Sequence, residues 1–393
     1  MTAERCPSRI APELKHTAWM FVATRLALIA VGVCAWMLLP RERTMPNDWV
    51  YSGHPSLDMW IRWDSVWYLR IAHDGYPAGP TEGQSSYGFF PLYPLLIKAV
   101  HGLGSSRQVS ALLVSNVALC VACFFLYRLA RLSFDEPCAR RSIKYLFLFP
   151  SAFILSGAFS ESVFLALSVM SFYYARRERW LFCGAAGFLG ALTRSNGVFL
   201  LLPLAYEYLR SKGFTWRRLR ADALSLSLIP LGTFAFMGYC YLQTGDAMAY
   251  VHAKQTGFHL VLSNPIKVLL SCLQSHSIPL LFNVAFGLIV LLFLTVFVRR
   301  IGFAYWLLGV ITILLCLAYG MGDSTAMYWA LVHPRGITSL HGMTRFSLGI
   351  FPLYLLLAQL SSNETVDRCL TVFLALLQGA LLVLWIAGTT LVV

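Results

Sequence analysis

The sequence predicts an all-α, polytopic membrane protein, a single integral-membrane domain over residues 1–393 with about eleven transmembrane helices and a large first outer loop carrying surface helices. Three observations predict it. The 393 residues are 58% hydrophobic and only 12% charged. Apolar runs of about 18 to 25 residues, long enough to cross a hydrocarbon core, recur from near Ala18 to Val393. The basic residues, which set the net charge at +13, lie mostly in short segments between those runs. In a soluble chain such a charge would point to nucleic acid, whereas here it reads as the excess of Lys and Arg that fixes membrane orientation.

The first span, 18–39, follows a polar stretch with Arg5, Arg9 and Lys15. It is too long for a signal-peptide core and lacks a small-residue cleavage site, so it is expected to be retained with a cytoplasmic N-terminus. Residues 40–106 form the outer loop. Within it 58–74 reads as a helix lying on the membrane surface. The piece 89–103 reads as half-buried and non-spanning, because Phe90 to Val100 is too short to cross, Pro91 and Pro94 sit near a helix start, and Lys98 and His101 interrupt it. The remaining spans are placed at 107–130, 143–159, 161–176, 180–193, 197–209, 223–241, 278–298, 303–320, 345–360 and 369–391. This arrangement puts nineteen of the 31 Lys and Arg inside, among them Arg210, Lys212, Arg217, Arg218 and Arg220, and counting 89–103 as a span would reverse every later loop. Ten cysteines are scattered without metal-ligand spacing; Cys120 and Cys123 share a helix face and read as packing residues.

The outer side collects the polar groups. In a helix over 58–74, Asp64 has Trp60, Trp67 and Tyr68 as same-face neighbours. Such rings either anchor a helix at headgroup level or stack on a sugar and an isoprenoid tail, and both readings stay open. A carboxylate among rings near lipid costs on the order of a few kcal/mol when desolvated and implies a partner or a task. Arg62 and Arg70 are partners at hand. Glu161 opens a span at the turn Ser160-Glu161-Ser162, where the helix dipole favours an acid whatever its role. In Thr193-Arg194-Ser195-Asn196-Gly197 one helix ends and the next begins, with Asn196 a candidate N-cap. Arg194 and Arg345 read either as snorkelling anchors or as cations facing a phosphate. Asp74-Gly75-Tyr76-Pro77 has turn chemistry, although His73 and Asp74 could also bind hydroxyls. Gln243, Asp246, His252 and Gln255 after the 223–241 span, with Asp323, His333, Arg335 and His341 in the last outer loop, complete the candidates.

Trp63-Asp64, Leu69-Arg70-Ile71-Ala72-His73-Asp74-Gly75-Tyr76, Phe89-Phe90-Pro91-Leu92-Tyr93-Pro94-Leu95, Phe159-Ser160-Glu161-Ser162-Val163-Phe164, Phe172-Tyr173-Tyr174, Arg179-Trp180 and Leu192-Thr193-Arg194-Ser195-Asn196-Gly197 follow one another over roughly 60–210. In that order they resemble the PIG-V family of membrane mannosyltransferases. Arg345-Phe346 with Phe351-Pro352-Leu353 is a weaker match. The resemblance implies a GT-C-type glycosyltransferase fold. It further implies inverting transfer of a sugar, mannose, from a polyprenyl- or dolichyl-phosphate donor to a hydroxyl of a lipid or glycan acceptor on the outer or luminal membrane face.

By the same resemblance Asp64 is the general base, a role its chemistry suits, since attack of a hydroxyl on the sugar C1 needs a group to take the proton. Arg194, Arg345, Arg70 and Arg62 would meet the donor phosphate. Trp63, Trp67, Tyr68, His73, Asp74, Tyr76, Phe90, Tyr93, Glu161, Asn196, Gln243 and His341 would meet the substrates. No cofactor and no metal are expected: the related oligosaccharyl enzymes use a metal beside the acidic turn, which here has one acid. A prokaryotic plasma membrane is the expected setting, with the endoplasmic reticulum membrane and a luminal site as the alternative. The rival readings are a lipid-linked-saccharide flippase or transporter, which would show repeats and mid-membrane polar residues that this sequence lacks, and a non-catalytic partner subunit.

Overall fold

The computed structural model describes residues 11–39, 50–79, 86–258, 260–275, 277–321 and 342–389. Among them the chain is almost wholly helical: α1 (Ala11–Leu38), α2 (Ser65–Asp74), α3 (Leu92–His101), α4 (Arg107–Arg131), α5 (Glu136–Leu148), α6 (Glu161–Arg176), α7 (Trp180–Ala191), α8 (Leu201–Ser211), α9 (Leu228–Thr244), α10 (Pro265–Gln274), α11 (Ile278–Val296), α12 (Phe303–Leu317), α13 (Met343–Phe346), α14 (Pro352–Leu360) and α15 (Glu364–Ala387). Shorter turns join them. An antiparallel strand pair, β1 (Leu260–Leu262) and β2 (Tyr319–Met321), sets Leu260 opposite Met321 and Leu262 opposite Tyr319.

Among the described residues five helical stretches are long and apolar enough to cross a bilayer: Thr17–Leu38, Arg107–Arg131, Ala221–Thr244, Ile278–Val296 and Glu364–Ala387. A sixth span is possible only by joining Met343–Gly349 to Pro352–Leu360, whose axes meet at 86°. The protein is therefore a multi-pass membrane protein, but the expected count of eleven full spans is not reached by length. The others are pieces of 11 to 16 residues, α5, α6, α7, α8 and α12. Only 22% of the apolar stretch of α1 is buried inside the protein, so its remaining surface faces lipid.

Local chemistry explains where the expected boundaries moved. Helix α5 starts at Glu136 rather than 143, because the Asp135 side chain accepts a hydrogen bond from the Cys138 N–H at 3.0 Å. It stops at Leu148, since Phe149 precedes Pro150 and takes the extended backbone (ψ 140°) that a following proline imposes. Helix α15 starts at Glu364, because Asn363 caps it by accepting from the Thr365 and Val366 N–H groups at 2.9 and 3.3 Å. The expected straight span 345–360 is broken at Pro352, which opens α14 as its first residue. Helix α3 is 10 residues long, too short to cross, as its composition predicts.

Helix α6 is the hub. It packs against α4 on one side and α7 on the other, while α7 packs on α9, α5 on α14 and α1 on α15. Both ends of α6 are charged. Glu161 opens it, and at its far end Arg176 pairs with Glu207 at 3.2 Å, Arg210 with Glu207 at 2.7 Å and Lys212 with Glu178 at 3.1 Å. Sixteen residues separate the two layers by about 24 Å of helix.

Candidate active site

The expected continuous surface helix over 58–74 does not form. The chain makes one short turn, Pro55–Asp58, then breaks and restarts at Ser65. Trp63 sits at φ 54°, a left-handed backbone uncommon for a bulky residue, and the Ser65 hydroxyl closes the break by donating to the Arg62 carbonyl at 2.8 Å and accepting the Arg62 N–H at 3.2 Å. Asp64 thereby becomes the N-cap residue of α2, with its carbonyl accepting from Trp67 and Tyr68, and Trp60 is no longer on its helix face. The break leaves the carboxylate at the mouth of a cavity.

That cavity holds about 370 Å³. Asp64 and Tyr68 enter it from the α2 end, Phe89 and Phe90 from the turn before α3, and Arg194, Ser195, Asn196 and Phe199 from the turn between α7 and α8. Lys254 and Phe258 come from the loop after α9, Cys316 and Tyr319 from the end of α12, and Arg345 and Phe346 from α13. Its lining combines charged and polar side chains with aromatic and aliphatic ones.

The ionic groups are wired together. Arg345 donates through Nη1 to Asp64 Oδ2 at 2.6 Å and through Nε to Glu161 Oε1. Arg194 Nη1 reaches the same Glu161 oxygen at 2.5 Å and the Ser160 hydroxyl at 3.3 Å. Ser160 in turn shares a hydrogen bond with the Tyr68 hydroxyl at 2.8 Å. The guanidinium of Arg345 lies 4.7 Å from the Phe159 ring centre and that of Arg194 5.0 Å from Phe346. Arg345 and Glu161 are both about 5% exposed, whereas the Asp64 side chain is 31% exposed. Asp64 is thus the acid that meets the cavity, and Glu161 stands behind the two arginines, orienting basic partners instead of lining the space itself. Its Oε2 is buried without a partner. Burial pushes the Tyr68 phenol up to about 12, so it stays a neutral hydrogen-bonding group.

Close packing positions the arginine turn. A Cβ on Gly197 would lie 2.3 Å from the Gly190 carbonyl oxygen, so only glycine lets the 3₁₀ turn Ser195–Leu200 press on α7. Asn196 is not the N-cap expected of it. Arg194 holds that position without a side-chain cap, and the Asn196 Oδ1 is left buried and unpaired on the cavity wall.

Of the residues expected in the site, the structure brings Asp64, Tyr68, Phe90, Arg194, Asn196 and Arg345 to the cavity, with Glu161 behind them. Others support it from outside. Trp67 stacks on Phe89 at 5.8 Å and meets Phe258 edge-on at 5.9 Å. Tyr76 donates to the Phe89 carbonyl at 2.7 Å. Tyr93 is fully buried and bonds Ser115 at 2.8 Å, and Ser115 donates to the Phe159 carbonyl at 3.3 Å. Trp63 packs against the main core. Five residues stand away from the cavity. Arg62 is buried and donates to the Ile386 carbonyl at the end of α15, Arg70 lies 5.9 Å from the Trp67 ring, and His73 and Asp74 pair with each other on the exposed surface. Gln243 uses its backbone carbonyl to accept from Gly79 at 3.0 Å and does not line the cavity. His341, Asp323, His333 and Arg335 lie outside the described residues.

Lys254 is the charged cavity residue that sequence reasoning missed. Its signal was present: an outer-loop lysine with Tyr250 and Phe258 four residues to either side, the same basic-aromatic pairing that marks Trp67 and Arg70. Among the described residues no group of three or more His, Cys, Asp or Glu side chains could hold a metal ion.

Residues 88–241 match the family described as dolichyl-phosphate-mannose-protein mannosyltransferase. The chain is 23% identical over 192 residues to GPI mannosyltransferase 2 of Yarrowia lipolytica, covering 48% of this chain and 50% of that protein. It is 24% identical over 180 residues to GPI mannosyltransferase 2 of Schizosaccharomyces pombe, covering 44% and 38%. The matched segment is thus half or less of these curated relatives' length. Among solved structures, ArnT from Cupriavidus metallidurans bound to undecaprenyl phosphate superposes with a TM-score of 0.48 at 12% identity, covering 93% of this chain and 76% of that one. The Archaeoglobus fulgidus oligosaccharyltransferase superposes with a TM-score of 0.41 at 14% identity, covering 92% and 53%. The sequence similarity bears out the resemblance to PIG-V-type membrane mannosyltransferases.

Proposed function

From this kinship with membrane mannosyltransferases, we propose that the chain transfers a mannosyl unit from a polyprenyl- or dolichyl-phosphate donor to a hydroxyl of a lipid or glycan acceptor, with inversion at C1. The observation that carries the reading is the split role of Asp64. Its Oδ2 is held by Arg345 at 2.6 Å, while its Oδ1 has no partner among the described residues and the side chain stays 31% exposed in a cavity that Arg194, Lys254 and Arg345 also line. Oδ1 takes the proton of the acceptor hydroxyl as that oxygen bonds to C1, and the bond from C1 to the phosphate oxygen breaks with its electron pair leaving on the phosphate. The released carrier is a prenyl phosphate, whose added negative charge needs a cation lining the cavity to stabilise it.

Arg345 fixes the carboxylate, and Glu161 fixes Arg345. The proton acceptor is thereby oriented before substrate arrives. The aromatic wall of Phe89, Phe90, Phe258 and Phe346 suits a sugar face and the first isoprene units. The reacting side is taken as the non-cytoplasmic face of the membrane, from the basic layer at the opposite end of α6.

The test is transfer from polyprenyl-phosphate-[³H]mannose by the purified protein in nanodiscs supplied with a total lipid extract as acceptor source. Asp64→Asn, which preserves shape and removes the base, should fold normally and lower turnover by roughly 10²-fold or more. Equal turnover in the two proteins would remove Asp64 from the reaction. Absence of any mannose transfer, with carrier moved across sealed vesicles instead, would favour the transporter reading.

A further inference from the structure

We propose that Lys254, with Ser195, forms the anion subsite that takes the phosphate of the prenyl carrier, and that Arg194 and Arg345 do not. The inference rests on the mannosyltransferase reading for the identity of the anion, but its argument is one of charge and geometry.

Of the five ionic groups that the described residues bring to the cavity, four cancel. Arg345 is committed to Asp64 and Glu161, and Arg194 to Glu161, so two guanidinium groups meet two carboxylates at hydrogen-bonding distance. Lys254 is the fifth. Among the described residues it has no carboxylate partner; its Nζ donates to the Ser195 hydroxyl at 2.8 Å and lies 5.4 Å from the Tyr319 ring centre. Among the described residues the cavity therefore carries one uncompensated positive charge, and that charge sits on Lys254.

An ammonium without a counter-charge in a half-buried site is costly, and desolvation together with the nearby Arg194 pulls this one down to about 8, while Asp64 pulls the other way. A phosphate monoanion or dianion relieves both penalties and gives two or three charge-assisted hydrogen bonds. Neutral sugar hydroxyls would relieve neither. Ser195 adds a hydroxyl beside the ammonium, and the unpaired Asn196 Oδ1 next in the chain can accept from a sugar hydroxyl, which places the phosphate and the sugar side by side along one turn. Asp64 shares this cavity. The charge pattern thus divides the space into a proton-accepting end at Asp64 and a phosphate-accepting end at Lys254.

Farnesyl phosphate and the uncharged alcohol farnesol separate the head group from the tail. In nanodiscs, wild-type protein should prefer farnesyl phosphate over farnesol. Lys254→Gln should weaken farnesyl phosphate roughly 10- to 100-fold and leave farnesol unchanged, the scale of losing a hydrogen-bonded charge. Lys254→Arg should restore most of the preference. Farnesyl phosphate binding by Lys254→Gln equal to wild type would overturn the proposal, as would an equal loss of both ligands. Should Lys254→Gln fail to fold, the wild-type preference measured from pH 6.5 to 9.5 decides the matter: it should fall as the ammonium loses its proton, and a pH-independent preference overturns the subsite. Phosphate binding at Lys254 without sugar transfer would retain the subsite and defeat the transferase reading. Asp64-dependent transfer with a normal donor KM in Lys254→Gln would do the reverse.

Discussion

Arg345 has a task no other side chain at the site could perform, because its planar fork reaches Asp64 with one nitrogen and Glu161 with another from a position 5% exposed. A lysine is one point donor on a flexible stem and can satisfy only one of the two acids. Arg345→Lys should lower turnover by about 10²-fold, with a lower melting temperature from the acid left unpaired. Arg194 uses a single nitrogen for its contacts with Glu161 and Ser160, so Arg194→Lys should stay within about tenfold of wild type, with an unchanged donor KM. Donor kinetics on both variants check this, and a raised KM in Arg194→Lys alone would put the phosphate on Arg194. Lys254 supplies a pH test. The charged ammonium is the form that binds phosphate, so kcat/KM for the donor should be flat below and fall as pH rises through about 8. Stability should move the opposite way. Between about pH 8 and the ordinary lysine value the unfolded chain binds more protons than the folded one, so the melting temperature rises while activity falls. Lys254→Arg should remove the alkaline limb of both profiles.

At the level of elements, the turns that carry the site are the informative parts. The turn Ser195–Leu200 is pressed onto α7 because Gly197 offers no Cβ, and Gly197→Ala would bring a methyl to 2.3 Å from a backbone carbonyl that cannot yield. The turn must shift, so Gly197→Ala should cost about 1–3 kcal/mol in unfolding free energy and reduce activity by displacing Arg194 and Ser195; denaturant titration and the transfer assay read the two effects. Apolar run length places α1, α4, α9, α11 and α15 in the sequence without difficulty, because a long lipid-facing helix must be apolar along its whole length. The short helices are not legible that way. Within a bundle, an 11- or 12-residue helix such as α7 or α8 can stop at a cap or a proline, and periodicity does not reveal where polar neighbours satisfy its ends. The same limit hid the break at Trp63, where the pattern over 58–74 is helical but the Ser65 hydroxyl and a left-handed residue interrupt it. The ionic quartet was half legible. Asp64, Glu161, Arg194 and Arg345 stand out as charges beside apolar runs, but which acid would face the cavity and which would hold the arginines depends on packing across 281 residues of separation.

For the molecule as a whole, the two charged layers at the ends of α6 predict its orientation. The layer with Asp64 and Arg345 should face away from the layer with Arg176, Arg210 and Lys212 across the bilayer, since about 24 Å of helix separates them. In a cysteine-free background, single cysteines at Asp74 and Thr215, both exposed, should react with an impermeant maleimide from opposite sides of sealed vesicles. Labelling from the same side would require a different membrane placement. The 86° break at Pro352 has a wider consequence. It detaches the segment bearing Arg345 from the following helix and rests it on α11, where Met343 fills the space beside Gly287 at 3.0 Å from a hypothetical Cβ. The arginine that orients the acid is therefore seated on the middle of a lipid-bathed helix nearly sixty residues upstream. In a mutational map of this protein, inheritance of the catalytic defect would not stop at the cavity: a larger side chain at position 287, in what looks like anonymous membrane-spanning sequence, would be read by a genetic screen as a lesion of the reaction centre.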